Sequence, residues 1–238
     1  MVSKSQIKLI TSLSQKKYRQ QHGLFVVEGI KGIQEFLKSD FKLHSLFTVE
    51  GFFTDVTDTT VVSETELKKI SFLKTPQKAL ALFAIPVFKE TKKPGLQLLV
   101  DDLRDPGNLG TLIRLCDWFN IEHLICSNHS VDCFNPKVIQ ATMGSITRVN
   151  ITYTDLNYYI SQQNLPVYGA FMDGVSVYES QLQDDALIIL GNEANGISDT
   201  IAEKVTHRIS IPQFGNANTE SLNVAIAGAI LVSEFKRG

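Results

Sequence analysis

Cysteine is scarce in this chain, with three residues in 238, and so are tryptophan (one), methionine (three) and proline (seven). Cys116, Cys126 and Cys133 match no zinc-binding spacing, and the five histidines, at 22, 44, 123, 129 and 207, do not cluster with them. No metal site is expected. Three thiols fit a reducing compartment rather than a disulfide scaffold. No stretch approaches the roughly 18 uninterrupted apolar residues of a membrane span. The first twenty residues, MVSKSQIKLITSLSQKKYRQ, lack the apolar core of a secretory signal. The chain is therefore expected in the cytoplasm, with no membrane partner. Internal repeats and low-complexity tracts are absent as well.

What remains is an ordinary globular composition, 43% apolar and 20% charged, long enough for one large domain or two small ones. The net charge of −2 hides an asymmetry. Residues 1–93 carry 15 Lys+Arg against 9 Asp+Glu, whereas residues 94–238 carry 8 against 16. A basic first module suited to phosphates, joined to an acidic second one, is one reading; a merely solubilising lysine-rich surface is the other. KETKKPG, residues 89–95, is charged, ends in Pro-Gly and reads as a linker. The expected domains are 1–88 and 94–238.

Before the linker the pattern predicts a helix near 3–20, a strand at FVVEG, a helix near 29–38 and a strand near 43–49. Strand pieces follow in SLFTVEGFF and TTVVSE, then a short helix in SETELKKIS capped by Ser63 or Thr65. After it, strands and helices alternate. LQLLVDD, HLICS, RVNITYT, PVYGAFM, ALIILGNE and HRISIPQ read as strands. NLGTLIRLCDWFN, NPKVIQATMGS, DLNYYISQQN, SDTIAEKV and a segment from about Thr219 read as helices. This alternation predicts an α/β fold, a mostly parallel sheet with helices on both faces, preceded by a small α/β domain.

In open α/β sheets, ligands bind beyond the carboxyl ends of the strands. Three segments lead from such an end into Gly- and Asn-rich turns. In LLVDDLRDPGNLGTLIR, Asp105-Pro106-Gly107-Asn108 is either a plain turn and helix cap or a ligand loop. Gly107 and Gly110 would let backbone approach a ligand, and Arg114 is either a surface residue or part of the site. GNLGTL does not match the dinucleotide fingerprint G-x-G-x-x-G. In ALIILGNEANGIS, an apolar strand delivers Gly191, Asn192 and Glu193; the carboxylate is a helix cap or a site residue. In IPQFGNANTESLNVAIAGAI, the loop Gln213–Glu220 meets a helix that is apolar nearly all round, as expected of a buried or subunit-facing helix. Ser221 and Asn223 either satisfy free N–H groups of its first turn or face a pocket.

Together, DPGNLGTLIR, LGNEANGIS and IPQFGNANTESLNVAIAGAI resemble, in order and spacing, the three signature motifs of the SpoU/TrmH family of RNA ribose 2′-O-methyltransferases, within the SPOUT superfamily. The likeness covers about residues 96–236. KKYRQQHGLFVVEGIKGIQEFL is similar to the family's ribosomal-protein-like RNA substrate-binding domain, although TPQKALALF lacks the usual Gly after Pro-Gln. The resemblance implies a deep trefoil knot at the C-terminal end, a feature nearly absent from other folds. It implies S-adenosylmethionine held in that knot at Gly191, Ile211 and Leu222. It implies Asn108, Arg114, Glu193, Ser221 and Asn223 as catalytic residues, with Arg114 as base or phosphate clamp. It further implies a homodimer through the C-terminal helix and an RNA substrate, with the separate basic module favouring rRNA over tRNA.

Overall fold

The computed structural model describes residues 1–87, 95–215 and 221–237. The expected linker lies outside these residues except for Gly95, as does the expected loop from residue 216 to 220. The chain divides into two compact units, Met1–Val87 with Asp132–Thr147, and Phe88–Val131 with Arg148–Gly238. The sequence reading placed 132–147 in the second domain; these residues pack within the first unit.

The first unit contains a four-stranded sheet in the order β1-β4-β2-β3, formed by β1 (Leu24–Glu28), β2 (Leu43–Thr48), β3 (Thr59–Val61) and β4 (Ala79–Ala84). β4 runs antiparallel to both β1 and β2, and β3 is parallel to β2. The sequence reading missed β4, although it is a central, almost wholly buried strand. The expected helix near 3–20 is two helices, α1 (Lys4–Ser12) and α2 (Lys16–His22). The break has a physical cause. Arg19 folds back, only 2% exposed, and donates to the carbonyls of Leu13 and Ser14 at 2.8 and 2.9 Å. Those carbonyls sit where α1 has run out of intrahelical donors. The Arg19 Nε donates to Asp132 Oδ2 at 2.9 Å, which leaves the buried cation paired.

α3 (Ile30–Leu37) and α4 (Glu64–Ile70) complete the N-terminal part. Of the two caps proposed for α4, Ser63 is the one used, in a reciprocal pair with Glu66. The segment Asp132–Thr147 joins this unit through α6 (Pro136–Thr142), which packs on β1. Phe134 lies 4.7 Å, ring to ring, from Phe25, extending an aromatic cluster with Phe36, Phe41 and Phe83. Nothing local marks that packing.

In the second unit, β5 (Gln97–Val100), β6 (His123–Ser127), β7 (Asn150–Thr154), β8 (Val167–Ser176), β9 (Leu187–Leu190) and β10 (His207–Ser210) form one sheet in the order β10-β8-β9-β5-β6-β7. Every neighbouring pair is parallel. The central strands are buried on both faces, which is why they read as continuous apolar runs. On one face, Leu99, Ile125, Leu187 and Ile189 pack with Leu156 and Ile160 of α7 (Leu156–Ser161) and Ile201 of α8 (Asp199–Ala202). The other face meets α5 (Pro106–Trp118) and α9 (Val224–Phe235), which pack on each other. At Gly228 a Cβ would stand 2.8 and 2.9 Å from Leu112 and Leu190, so glycine sets the depth of α9.

The last helix starts at Val224, later than expected, and it has two faces. Val224, Ala225, Gly228, Leu231, Val232 and Phe235 are buried, whereas Ile226 is 54% exposed. Residues 170–174 leave the β8–β10 ladder, since Gly169 pairs with Arg208 and Val175 with Ile209.

Candidate active site

The three loops singled out in the sequence all leave strands of the second unit at their carboxyl ends. Asp105 caps α5, its Oδ1 accepting from the Asn108 N–H at 2.8 Å, with Pro106 in the first turn where no donor is required. A Cβ on Gly107 would reach that carboxylate at 3.0 Å, so glycine there serves the cap. Gly110 is buried within α5. Neither glycine lines the cavity described below, contrary to the close approach expected of them.

The second loop closes on itself. Asn192 and Gly196 exchange backbone hydrogen bonds of 2.8 and 2.9 Å, and the Asn192 side-chain oxygen accepts from the backbone N–H groups of Ala194 and Asn195. A Cβ on Gly191 would stand 2.1 Å from the Gly196 carbonyl carbon and 2.3 Å from the Ile197 nitrogen, so only glycine fits. Helix α8 has its own partner, since Asp101 Oδ2 accepts from the Ser198 backbone N–H and hydroxyl at 2.9 and 2.7 Å. Glu193 is thus not a helix cap.

The Glu193 carboxylate instead accepts from Asn108 Nδ2 at 3.0 Å. A carboxylate can only accept, so it turns the Asn108 amide nitrogen toward itself and leaves Asn108 Oδ1 facing away. That oxygen accepts from Asn223 Nδ2 at 3.0 Å. Asn223 Oδ1 in turn accepts from the N–H groups of Ala225 and Ile226, capping α9. Both roles considered for Asn223 therefore coexist in one side chain. Asn223, Asn108 and Glu193, one from each motif, form a single hydrogen-bonded row.

The two ends of this row, Glu193 and Asn223, border a cavity of about 830 Å³. Its wall includes Gly191 and Glu193 after β9, Ile211 to Phe214 after β10, and Ser221 to Val224 at the start of α9. Gly191 and Ile211 lie just past their strands, where ladder pairing has stopped, and no turn hydrogen bond among the described residues takes up their backbone groups. Such groups are available to a ligand. Ala170, Phe171 and Met172, from the segment that leaves the β8 ladder, also line it. The sequence reading did not assign these, nor Asn192; nothing in PVYGAFM sets that strand apart from its neighbours.

Arg114 lies on an exposed position of α5, six residues beyond Asn108, and its guanidinium has no partner among the described residues. It does not line the cavity, and neither does Asn108. None of the three thiols lines the cavity. Burial pushes Cys126 up to about 12, against a partial offset from Tyr153, and raises Cys116 too. Among the described residues, no group of three or more metal-ligating side chains occurs, and no helix is long and apolar enough to cross a membrane.

Residues 95–233 match the SpoU rRNA Methylase family, and residues 4–81 the MRM3-like substrate binding domain. The 23S rRNA (guanosine(2553)-2′-O)-methyltransferase of Bacillus subtilis is 28% identical over 233 residues, covering 94% of this chain and 93% of its own. A TrmH-family protein from Porphyromonas gingivalis shares the structure with a TM-score of 0.91 and 40% identity, over 100% of this chain and 99% of its own. An rRNA methyltransferase from Sinorhizobium meliloti, solved with S-adenosylmethionine, has a TM-score of 0.87 and 26% identity over 100% and 97% of the two chains. With the family match spanning more than half of the sequence and its motifs gathered at one cavity, the chain belongs to the SpoU rRNA methylase family.

Proposed function

We propose that this protein transfers a methyl group from S-adenosylmethionine to a ribose 2′-hydroxyl of ribosomal RNA. The observation that carries the reading is the Asn223–Asn108–Glu193 row at the rim of the cavity. Residues from three separate loops are there held in one orientation, which suits a reaction whose rate comes from positioning. The cavity fits the cofactor in size and lining, having apolar walls beside backbone groups left over at Gly191 and Ile211. The cofactor would supply a methyl group already activated on a sulfonium.

Gly191, Ile211 and Leu222 would hold it, and Ser221 and Asn223 would face the reacting end. Arg114 acts on the RNA side. A guanidinium holds its protons too firmly to be a good base unless polarised, so its role is on the ribose hydroxyl or the adjoining phosphate, with the RNA assisting. Ribosomal RNA is favoured over tRNA by the substrate-binding domain matched at residues 4–81. It is also favoured by the near full-length likeness to an enzyme named for 23S rRNA.

Three finer expectations belong to the same proposal. A deep C-terminal trefoil knot is supported by α9, which follows the edge strand β10 yet packs back on α5 and on Leu190 of central β9. A homodimer through the C-terminal domain is supported by the outward side of α9, where Ile226 is 54% exposed. A cytoplasmic location is proposed by likeness to the Bacillus subtilis enzyme. The proposed modules are 1–88 for RNA and 94–238 for catalysis, with 132–147 lending packing to the first.

The test is a thermal shift with S-adenosylmethionine or NAD, followed by transfer of labelled methyl to rRNA and tRNA. Stabilisation by S-adenosylmethionine alone and label in rRNA are expected. Stabilisation by NAD, or label confined to tRNA, would contradict the proposal.

A further inference from the structure

The loop between β5 and α5 is held far more firmly than a surface turn requires. Asp102 has φ of +52°, a backbone conformation that non-glycine residues rarely adopt. Its N–H donates to Ser127 Oγ at 2.8 Å, and the Leu103 N–H donates to Ser130 Oγ at 3.2 Å. The two hydroxyls bond each other at 2.9 Å. The Val131 N–H donates to the Leu103 carbonyl at 2.8 Å, and Asn192 Nδ2 donates to the Asp102 carbonyl at 2.6 Å. Two separate segments thus hold the N–H and carbonyl groups of two consecutive residues, Asp102 and Leu103. One of them comes from the residue beside Glu193, so the loop is tied to the hydrogen-bonded row.

What this scaffold presents is Arg104. Its side chain is 73% exposed, and Nε and Nη2 donate to the two Asp102 carboxylate oxygens at 3.2 and 2.8 Å. The carboxylate orients one edge of the guanidinium; the other makes no hydrogen bond among the described residues, although the Glu193 carboxylate also acts on Arg104 through its charge. An exposed pair of this kind contributes little to stability, so stability does not account for the strained and heavily bonded backbone beneath it. Such strain marks functional positions. Arg104 and Asp102 border an open depression of about 600 Å³ with the exposed His129 and with Val131, at the carboxyl ends of β5 and β6. A planar fork of donors with a second N–H donor nearby matches the oxygens of a phosphodiester.

We infer that Arg104, oriented by Asp102 and assisted by His129, binds an RNA backbone phosphate beside the nucleotide to be methylated. The inference rests on the methyltransferase reading above. Arg104 is then a positioning residue for the substrate, with a role distinct from those of Asn108 and Arg114.

The experiment uses the full chain and an unmodified transcript of 23S rRNA. Arg104→Ala, Arg104→Lys and His129→Ala are compared for RNA affinity across a salt series, for KM and kcat, and for Tm. Arg104→Ala should raise the RNA Kd and KM about tenfold. It should also lower the slope of log Kd against log salt by about one, as loss of a single phosphate contact does. S-adenosylmethionine affinity, kcat and Tm should stay close to wild type. Arg104→Lys should restore the slope but only part of the affinity, and His129→Ala should show a smaller loss. An unchanged Kd and slope would overturn the inference. So would a loss of affinity with no change of slope, which indicates a base contact, or a fall in Tm, which indicates a structural role. Binding is read without turnover. A wild-type protein that methylates no RNA would refute the functional reading and leave the slope to decide Arg104.

Discussion

Gly191→Ala should be among the most damaging single-methyl additions in the protein. The new Cβ would meet the Gly196 carbonyl carbon at 2.1 Å, the Ile197 nitrogen at 2.3 Å and the Gly196 oxygen at 2.5 Å. All three are backbone atoms, so no side-chain rotation relieves the clash. Forcing an extra methyl into such a site costs about 1–3 kcal/mol. The movement must separate Asn192 from Gly196, whose two mutual hydrogen bonds contribute about 1 kcal/mol each. The expected loss is roughly 3–5 kcal/mol, or a Tm lower by roughly 6–20 °C for a chain of this size. Glu193 rides on the same turn, so its bond to Asn108 should loosen as well. Gly196→Ala is the internal control. Gly196 has φ of +69°, and nothing lies within 4 Å of an added Cβ. Its cost is only the left-handed backbone, about 1–2 kcal/mol. Thermal and urea unfolding of the two variants, with titration of S-adenosylmethionine, measure the contrast. Equal losses, or an unaltered Gly191→Ala protein, would refute the steric reasoning.

Arg114→Ala should abolish methyl transfer while leaving S-adenosylmethionine affinity within a few-fold, and Arg114→Lys should rescue little, because a point charge does not replace a planar fork; single-turnover assays decide. Ile226→Asp places a charge on the exposed side of α9 and should convert a dimer to monomer by light scattering with little change in monomer fold. Glu28 supplies a pH signature. Burial raises its carboxyl above the ordinary 4.5, with hydrogen bonds from Ser71 and the Phe72 N–H opposing the shift. Between 4.5 and the raised value, the folded state holds a proton that the unfolded chain has released. Stability should therefore fall as pH rises through that window and level off above it. Glu28→Gln should remove this component in urea unfolding measured from pH 4 to 7.

Much of the second unit was legible because a parallel sheet buried on both faces needs continuous apolar strands. LQLLV, HLICS and ALIIL show this directly, and turns rich in Gly and Asn separate them from helices. The first unit was less so. KALALF is an apolar run too short to distinguish strand from helix, and β4 was overlooked. The pattern from Lys4 to Gln20 stays compatible with one helix, because the break depends on Arg19 reaching back to Leu13 and on Asp132, 113 residues away. Phe134 gives no local hint that it joins Phe25. At the site, the motifs pointed to Asn108, Glu193 and Asn223, but only coordinates reveal that one side chain serves both as cap and as bridge. Asn192 and Asp102 were quoted without a role, since an amide-to-carbonyl bond between distant loops leaves no trace in either.

The most direct test of the central claim is nucleoside mass spectrometry of unmodified 23S rRNA incubated with the purified protein and isotopically labelled S-adenosylmethionine. One 2′-O-methylated nucleotide should appear, carrying the label on ribose, and it should vanish with Arg114→Ala. Label on a base, or no label in RNA that the protein demonstrably binds together with the cofactor, would contradict the assignment.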